Sequence, residues 1–296
     1  MIKRGTGVLF VTLLAFSFSV LAFMSLATTP AMAADYRVAI YGAPFTDSWN
    51  DDIQGKIDST GLFSQVDAFM VSGGYPVPTL VELQQYDAVL VYSDSSFNDS
   101  AALGDVLADY MDDGGGVVMA TFAFWTPGGL GIGGRISTAG YLPFTQAGQE
   151  NGTPLTLVAD LPSHPILNGV GSFNGGTSSY HNTIDLAAGA TLIAHWSNDY
   201  PLVATKEPTA GRIVGLNFFP PSTDARGDFW DSSTDGALLM ANSLVWASEG
   251  TPTSPGFPVG GTAYPVNRLV LIAPWLALAA VIAGAAIFMR RRQTQS

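Results

Sequence analysis

Gly114-Gly-Gly-Val-Val-Met-Ala-Thr-Phe-Ala-Phe-Trp125 decides how this chain is read. A glycine run opens into a continuous apolar segment with β-branched residues, the pattern of a strand buried on both faces of a sheet. The strand should end near Ala120. In an open α/β sheet ligands bind just beyond the carboxyl ends of the strands, which puts Thr121, Phe122 and Trp125 at the place where a nucleophile or a ligand contact is expected.

Upstream, Arg37-Val-Ala-Ile-Tyr41 reads as a first buried strand. A helix follows from about Asp47, with Trp49, Ile53 and Ile57 on one face and Gly61 as its stop. Val66 to Val71 and Tyr86 to Tyr92 supply two more strands, with room for a short helix over Thr79–Gln84. Leu103, Val106, Leu107, Tyr110 and Met111 then define a strongly amphipathic helix. Asn98 is expected to cap it, Gly114 to end it, and Asp105, Asp109, Asp112 and Asp113 to face water.

Downstream, residues 127–152 are glycine-rich and aperiodic. They lack the lysine and following helix of a phosphate loop, and read as an irregular loop over the sheet edge. Leu155–Val158, Thr191–Ala194, Leu202–Ala204 and Arg212–Asn217 are short strands, the last three joined by turns at Asp199-Tyr-Pro and Pro208-Thr-Ala-Gly, so this half should be partly antiparallel. A terminal helix spans Thr234–Ser248, with Asp231 to Ser233 as caps. Strands alternating with helices predict an α/β, flavodoxin-like three-layer sandwich around a mostly parallel sheet.

The two ends read differently. Lys3 and Arg4 precede an apolar run and an Ala31-Met-Ala33 cleavage pattern, so residues 1–33 are expected to be a signal peptide. Residues 34–250 form the globular domain and 251–267 a Pro/Gly-rich stalk. Residues 268–289 carry an uncharged apolar run long enough, at roughly 30 Å, to cross a bilayer as a helix. Arg290-Arg-Arg292 within the basic tail 290–296 places that end in the cytoplasm and the domain outside the cell membrane, as a single-pass protein. The layout of short motif, span and basic end resembles the C-terminal anchors of prokaryotic surface proteins.

All 24 carboxylates fall within 34–250 against six basic residues, leaving −18 there. Such a domain is well solvated and repels nucleic acid. With no cysteine, disulfides, thiolate ligands and cysteine nucleophiles are all excluded. The sequence implies no cofactor and no metal: the four aspartates Asp224, Asp228, Asp231 and Asp235 lack the spacing of a calcium loop.

The order of these segments resembles the class I glutamine amidotransferase-like fold, in its trehalose-utilisation-protein-like branch. The resemblance rests on the Tyr86-Asp-Ala-Val-Leu-Val91 strand, the helix ending Asp109-Tyr-Met-Asp-Asp-Gly-Gly-Gly116, His164-Pro-Ile-Leu-Asn-Gly169 and Gly211-Arg-Ile-Val-Gly-Leu-Asn-Phe-Phe-Pro220. Active members of that fold place a cysteine after the central strand, with a histidine and a glutamate after a later one. Carried onto this chain, the resemblance puts those roles at Thr121, Phe219 and Pro221. None of these side chains can serve as thiolate, base or orienting carboxylate, so the resemblance implies a degenerate domain without glutaminase activity.

Three histidines remain. His164 reads as structural, His181 in a polar loop is the one to test for ligand contact, and His195 ends a strand. Phe229 and Trp230 are aromatics that can either stack on a sugar or pack under the terminal helix. Arg226-Gly-Asp228 matches a tripeptide used by integrin ligands, here a coincidence. The candidate crevice is therefore Thr121, Phe122, Trp125, His181, Phe219 and Trp230. The leading expectation is a binding or structural surface module with a carbohydrate or protein partner; the alternative is a surface hydrolase using Asp with His181 or His195 in the same crevice.

Overall fold

The computed structural model of the chain describes residues 36–126 and 129–250. The expected leader, stalk, span and basic tail lie outside the described residues. Among those described, no helix is long and apolar enough to cross a membrane.

The first half alternates strand and helix: β1 (Arg37–Ala43), α1 (Ser48–Asp58), β2 (Gln65–Met70), α2 (Leu80–Leu83), β3 (Ala88–Ser93), α3 (Ser100–Asp112) and β4 (Gly116–Ala120). Every residue of β3 and β4 is buried, which is why neither shows the apolar–polar alternation of a half-exposed strand. After α4 (Gly134–Thr138), β5 (Gln149–Glu150), β6 (Leu157–Ala159) and β7 (His181–Asn182), an antiparallel run of β8 (Thr191–Trp196), β9 (Pro201–Lys206) and β10 (Ile213–Leu216) leads to α5 (Gly236–Ser248).

Eight strands form one sheet in the order β2-β1-β3-β4-β10-β9-β8-β6. The pairings from β2 to β10 are parallel, and those from β10 outward to β6 are antiparallel. Side chains alternate between two cores. Val38, Ile40, Val118 and Ala120 meet α1 and α5 through Trp49, Ile53, Leu239 and Leu244. Ala39, Tyr41, Val117 and Met119 meet α2, α3 and α4 through Leu83, Leu103, Leu107 and Ile136. The expected three layers are present.

The glycine run does two jobs. Gly114 ends α3 with φ +97°, a left-handed conformation that costs glycine little. Gly116 starts β4 under α5, where an added Cβ would lie 2.5 Å from the backbone of Ala247.

Several local expectations are corrected. Asp99, not Asn98, caps α3, its Oδ1 accepting from the Ala102 amide at 2.9 Å. The aspartates of α3 do not simply face water. Arg135 pairs with Asp109 and, at 2.7 Å, with Asp112, while Asp105 accepts the Arg135 amide at 2.7 Å. Tyr141 donates to Asp112 at 2.8 Å. These bonds draw the segment after Trp125 onto α3 and, through Phe144 against Gly215, under the middle of the sheet. The segment therefore covers a face, not the sheet edge, and contains the helical turn α4. Asp231 makes a local turn by accepting from the Ser233 amide at 2.9 Å, and α5 begins only at Gly236. Its preceding Asp235 reaches instead to the amides of Gly171 and Ser172, both at 2.8 Å.

Gly116→Ala is expected to push α5 off the sheet and lower stability by about 1–3 kcal/mol, the usual cost of overpacking. A urea midpoint lowered at constant m-value would show it; an unchanged midpoint would mean that α5 does not lie against Gly116.

Candidate functional site

The register of two parallel strands builds the floor of the site. Leu216 of β10 pairs with Ala120 of β4, so the residues that follow each strand meet. Thr121 Oγ1 donates to Asn217 Oδ1 at 3.2 Å, both residues being fully buried. Asn217 Oδ1 also accepts the Asn182 amide at 2.7 Å, and its Nδ2 donates to the carbonyls of Asn182 and Pro201 at 2.9 and 2.8 Å. Thr121 is thus committed to the floor rather than presented to solvent.

One residue beyond Thr121 and two beyond Asn217, Phe122 and Phe219 lie with ring centroids 5.5 Å apart. Phe229 packs on Phe219 at 4.9 Å and Trp125 on Phe122 at 5.6 Å. Such edge-on and tilted ring contacts stabilise beyond simple area burial. Above them opens a cleft of about 220 Å³, lined also by Asp94, Leu130, Gln149, Asn151, Tyr180 and Arg226.

The cleft's charges are arranged in two ways. Arg226 forms a two-pronged pair with Asp228, Nε to Oδ1 at 2.6 Å and an Nη to Oδ2 at 2.8 Å. Tyr180 joins them, its hydroxyl 2.6 Å from the guanidinium and donating to Asp228 at 2.9 Å. The guanidinium lies 4.4 Å from the centre of the Phe229 ring. Hydrogen bonding from Arg226, with Tyr180 and Ser178 adding to it, holds the Asp228 carboxyl well below the ordinary carboxylate range. The two charges of the Arg-Gly-Asp tripeptide are therefore spent on each other and on Tyr180.

Asp94 is the opposite case. Burial pushes its carboxyl up, with Arg226 opposing. Among the described residues its carboxylate accepts no hydrogen bond, although it lines the cleft.

The sequence-derived candidates separate. Phe122, Trp125 and Phe219 line the cleft together, and Thr121 lies beneath it. His181 lies outside the lining, 2% exposed, its Nδ1 2.7 Å from the Ser179 carbonyl and its ring packed on Tyr200 and Trp196. Burial pushes its pKa down, with the Ser179 carbonyl and Glu150 opposing. Trp230 is 2% exposed, donates to the Pro220 carbonyl at 2.6 Å and packs against Gly236 at the start of α5. It serves as packing beneath the terminal helix. His195 pairs with Asp160 at 2.8 Å away from the cleft lining, and His164 Nδ1 accepts the Ile166 amide at 3.3 Å, a structural cap.

Asp94 was legible in principle: it follows β3 directly, where the rule applied to β4 holds equally. Gln149 and Asn151 carry no local signal, because the pairing of β5 with β7 that brings them in is long-range.

The whole fold has solved counterparts. A ThuA-like protein from Bacteroides uniformis superposes with a TM-score of 0.52 at 17% identity, covering 76% of this chain and 98% of that one. A ThuA-like protein from Parabacteroides merdae gives 0.49 at 14% identity, over 75% and 93%. The likeness is one of fold. The superposition on the Bacteroides uniformis protein supports the mostly parallel α/β sheet expected from the sequence. No protein-family model and no curated protein sequence matches the chain.

Proposed function

We propose that this chain is a membrane-anchored extracellular binding module whose amidotransferase-like domain has lost catalysis, and that its cleft takes a carbohydrate. The observation that carries the reading is the Phe122–Phe219 contact at 5.5 Å. The sequence resemblance puts a nucleophile and its base beside these positions, and two apolar rings occupy the place where those groups would have to exchange a proton. Among the described residues no histidine lines the cleft. The hydrolase alternative needs an imidazole there, and both His181 and His195 are engaged elsewhere.

A saccharide suits the remaining chemistry. Aromatic rings offer flat apolar faces to sugar C–H bonds, while the amides of Gln149 and Asn151 and the carboxylate of Asp94 offer donors and acceptors to hydroxyls. The anchor rests on the sequence: an apolar run within residues 268–289 followed by three arginines.

A glycan-array screen with the full-length chain should return a defined saccharide, and Trp125→Ala should weaken its binding tenfold or more, about 1.4 kcal/mol. Saccharide turnover abolished by His181→Ala or His195→Ala would refute the reading. Alkaline carbonate should leave the chain in the membrane pellet; release into the supernatant would remove the anchor from the proposal.

A further inference from the structure

A second and larger cavity, of about 700 Å³, lies at the other side of the sheet, between β2, the edge strand, and the segment Tyr75–Tyr86. Its volume is that of a small-molecule pocket. Tyr41 and Phe69 stack with centroids 5.2 Å apart and planes 22° from parallel, and Tyr86 meets Phe69 at 6.2 Å and 64°. The rings thus form a corner of two differently oriented faces. Phe69 on edge strand β2 and Tyr75 in the loop after it are large hydrophobic side chains left 41% and 49% exposed.

The charged side chain in the lining of this corner is acidic. Glu82 supplies it, and among the described residues no basic side chain lines the cavity. Both bonds that Thr79 makes to Glu82 use one carboxylate oxygen, Oε2, leaving Oε1 without a protein donor among the described residues. Asp67 stands behind Tyr86 and accepts its hydroxyl at 2.7 Å. Arg37 is the nearby cation, held by Gln65 at 2.9 Å over the Tyr86 ring. Tyr41 is 4% exposed and its hydroxyl makes no hydrogen bond among the described residues. Burial pushes that hydroxyl up, and Tyr86, Glu82 and Asp67 add to it in the same direction.

Rings at an angle, a half-free carboxylate and no lining base repel anions and attract a cation with apolar substituents. We infer that the Tyr41–Phe69–Tyr86 corner with Glu82 is a binding site for a small organic ammonium ion, separate from the cleft at Phe122. The ring faces contact the alkyl groups on nitrogen, and Glu82 supplies the counter-charge. A neutral ligand of the same shape would keep the apolar contact and lose the electrostatic part.

The test is calorimetric titration of the full-length chain with choline and with 3,3-dimethylbutan-1-ol, its uncharged carbon isostere. Choline is expected to bind saturably and at least tenfold more tightly than the isostere. Phe69→Ala should weaken choline at least fivefold. Glu82→Gln should erase most of the preference between the two probes while preserving α2, since glutamine also completes a capping box. Trp125→Ala should leave choline binding unchanged. Equal affinity for the two probes, no saturable choline binding, or binding indifferent to both Phe69→Ala and Glu82→Gln would overturn the inference.

Discussion

Asn217 is the constraint on which the carboxyl edge of the sheet depends. Fully buried, it accepts from Thr121 and the Asn182 amide and donates to the carbonyls of Asn182 and Pro201, so one side chain joins the ends of β4 and β10 to β7 and β9. Each bond is worth little net against water, but leaving any buried partner unpaired costs about 1–3 kcal/mol. The network therefore fixes where the chain turns after β4, and with it the position of Phe122. Everything in the cleft is referred to that floor.

Two kinds of chemistry are then built on opposite sides of β1 and β3. Over β4 and β10 the rings of Phe122 and Phe219 close the space between the strand ends, and on the wall Asp94 accepts no hydrogen bond among the described residues. At the β2 edge the rings remain partly open, with Glu82 beside them. The first arrangement offers hydroxyl recognition and the second offers charge. Arg226 marks the difference: its pairing with Asp228 and its stacking on Phe229 make it part of the cleft's lining, while at the edge pocket the nearby Arg37 lies over the Tyr86 ring and outside the lining.

Local periodicity made the strands β1, β3 and β4 and the helices α1 and α3 legible, because a strand buried on both faces and a two-sided helix each leave a pattern in adjacent residues. The antiparallel half was legible from its turns. Capping by Asp99 rather than Asn98 turned on one residue of register. The docking of Arg135 onto Asp109 and Asp112 joins residues 23 and 26 positions apart, and no window along the chain contains that information. Phe122, Trp125 and Phe219 line one cleft because they follow the ends of adjacent strands, which the sequence marks. His181 and Trp230 were misplaced because a polar neighbour in sequence, or an aromatic in a loop, does not reveal burial. The edge pocket left no sequence signal: Tyr41, Phe69 and Tyr86 become neighbours only through the order β2-β1-β3.

The central claim is that the cleft over Phe122 and Phe219 holds a ligand without changing it. It is tested most directly by equilibrating the full-length chain with the saccharide it retains and analysing the recovered ligand by mass spectrometry. The account predicts an intact saccharide in full yield after prolonged incubation. A shortened, deaminated or otherwise converted product, formed by the wild-type chain and not by a Trp125→Ala variant, would contradict it.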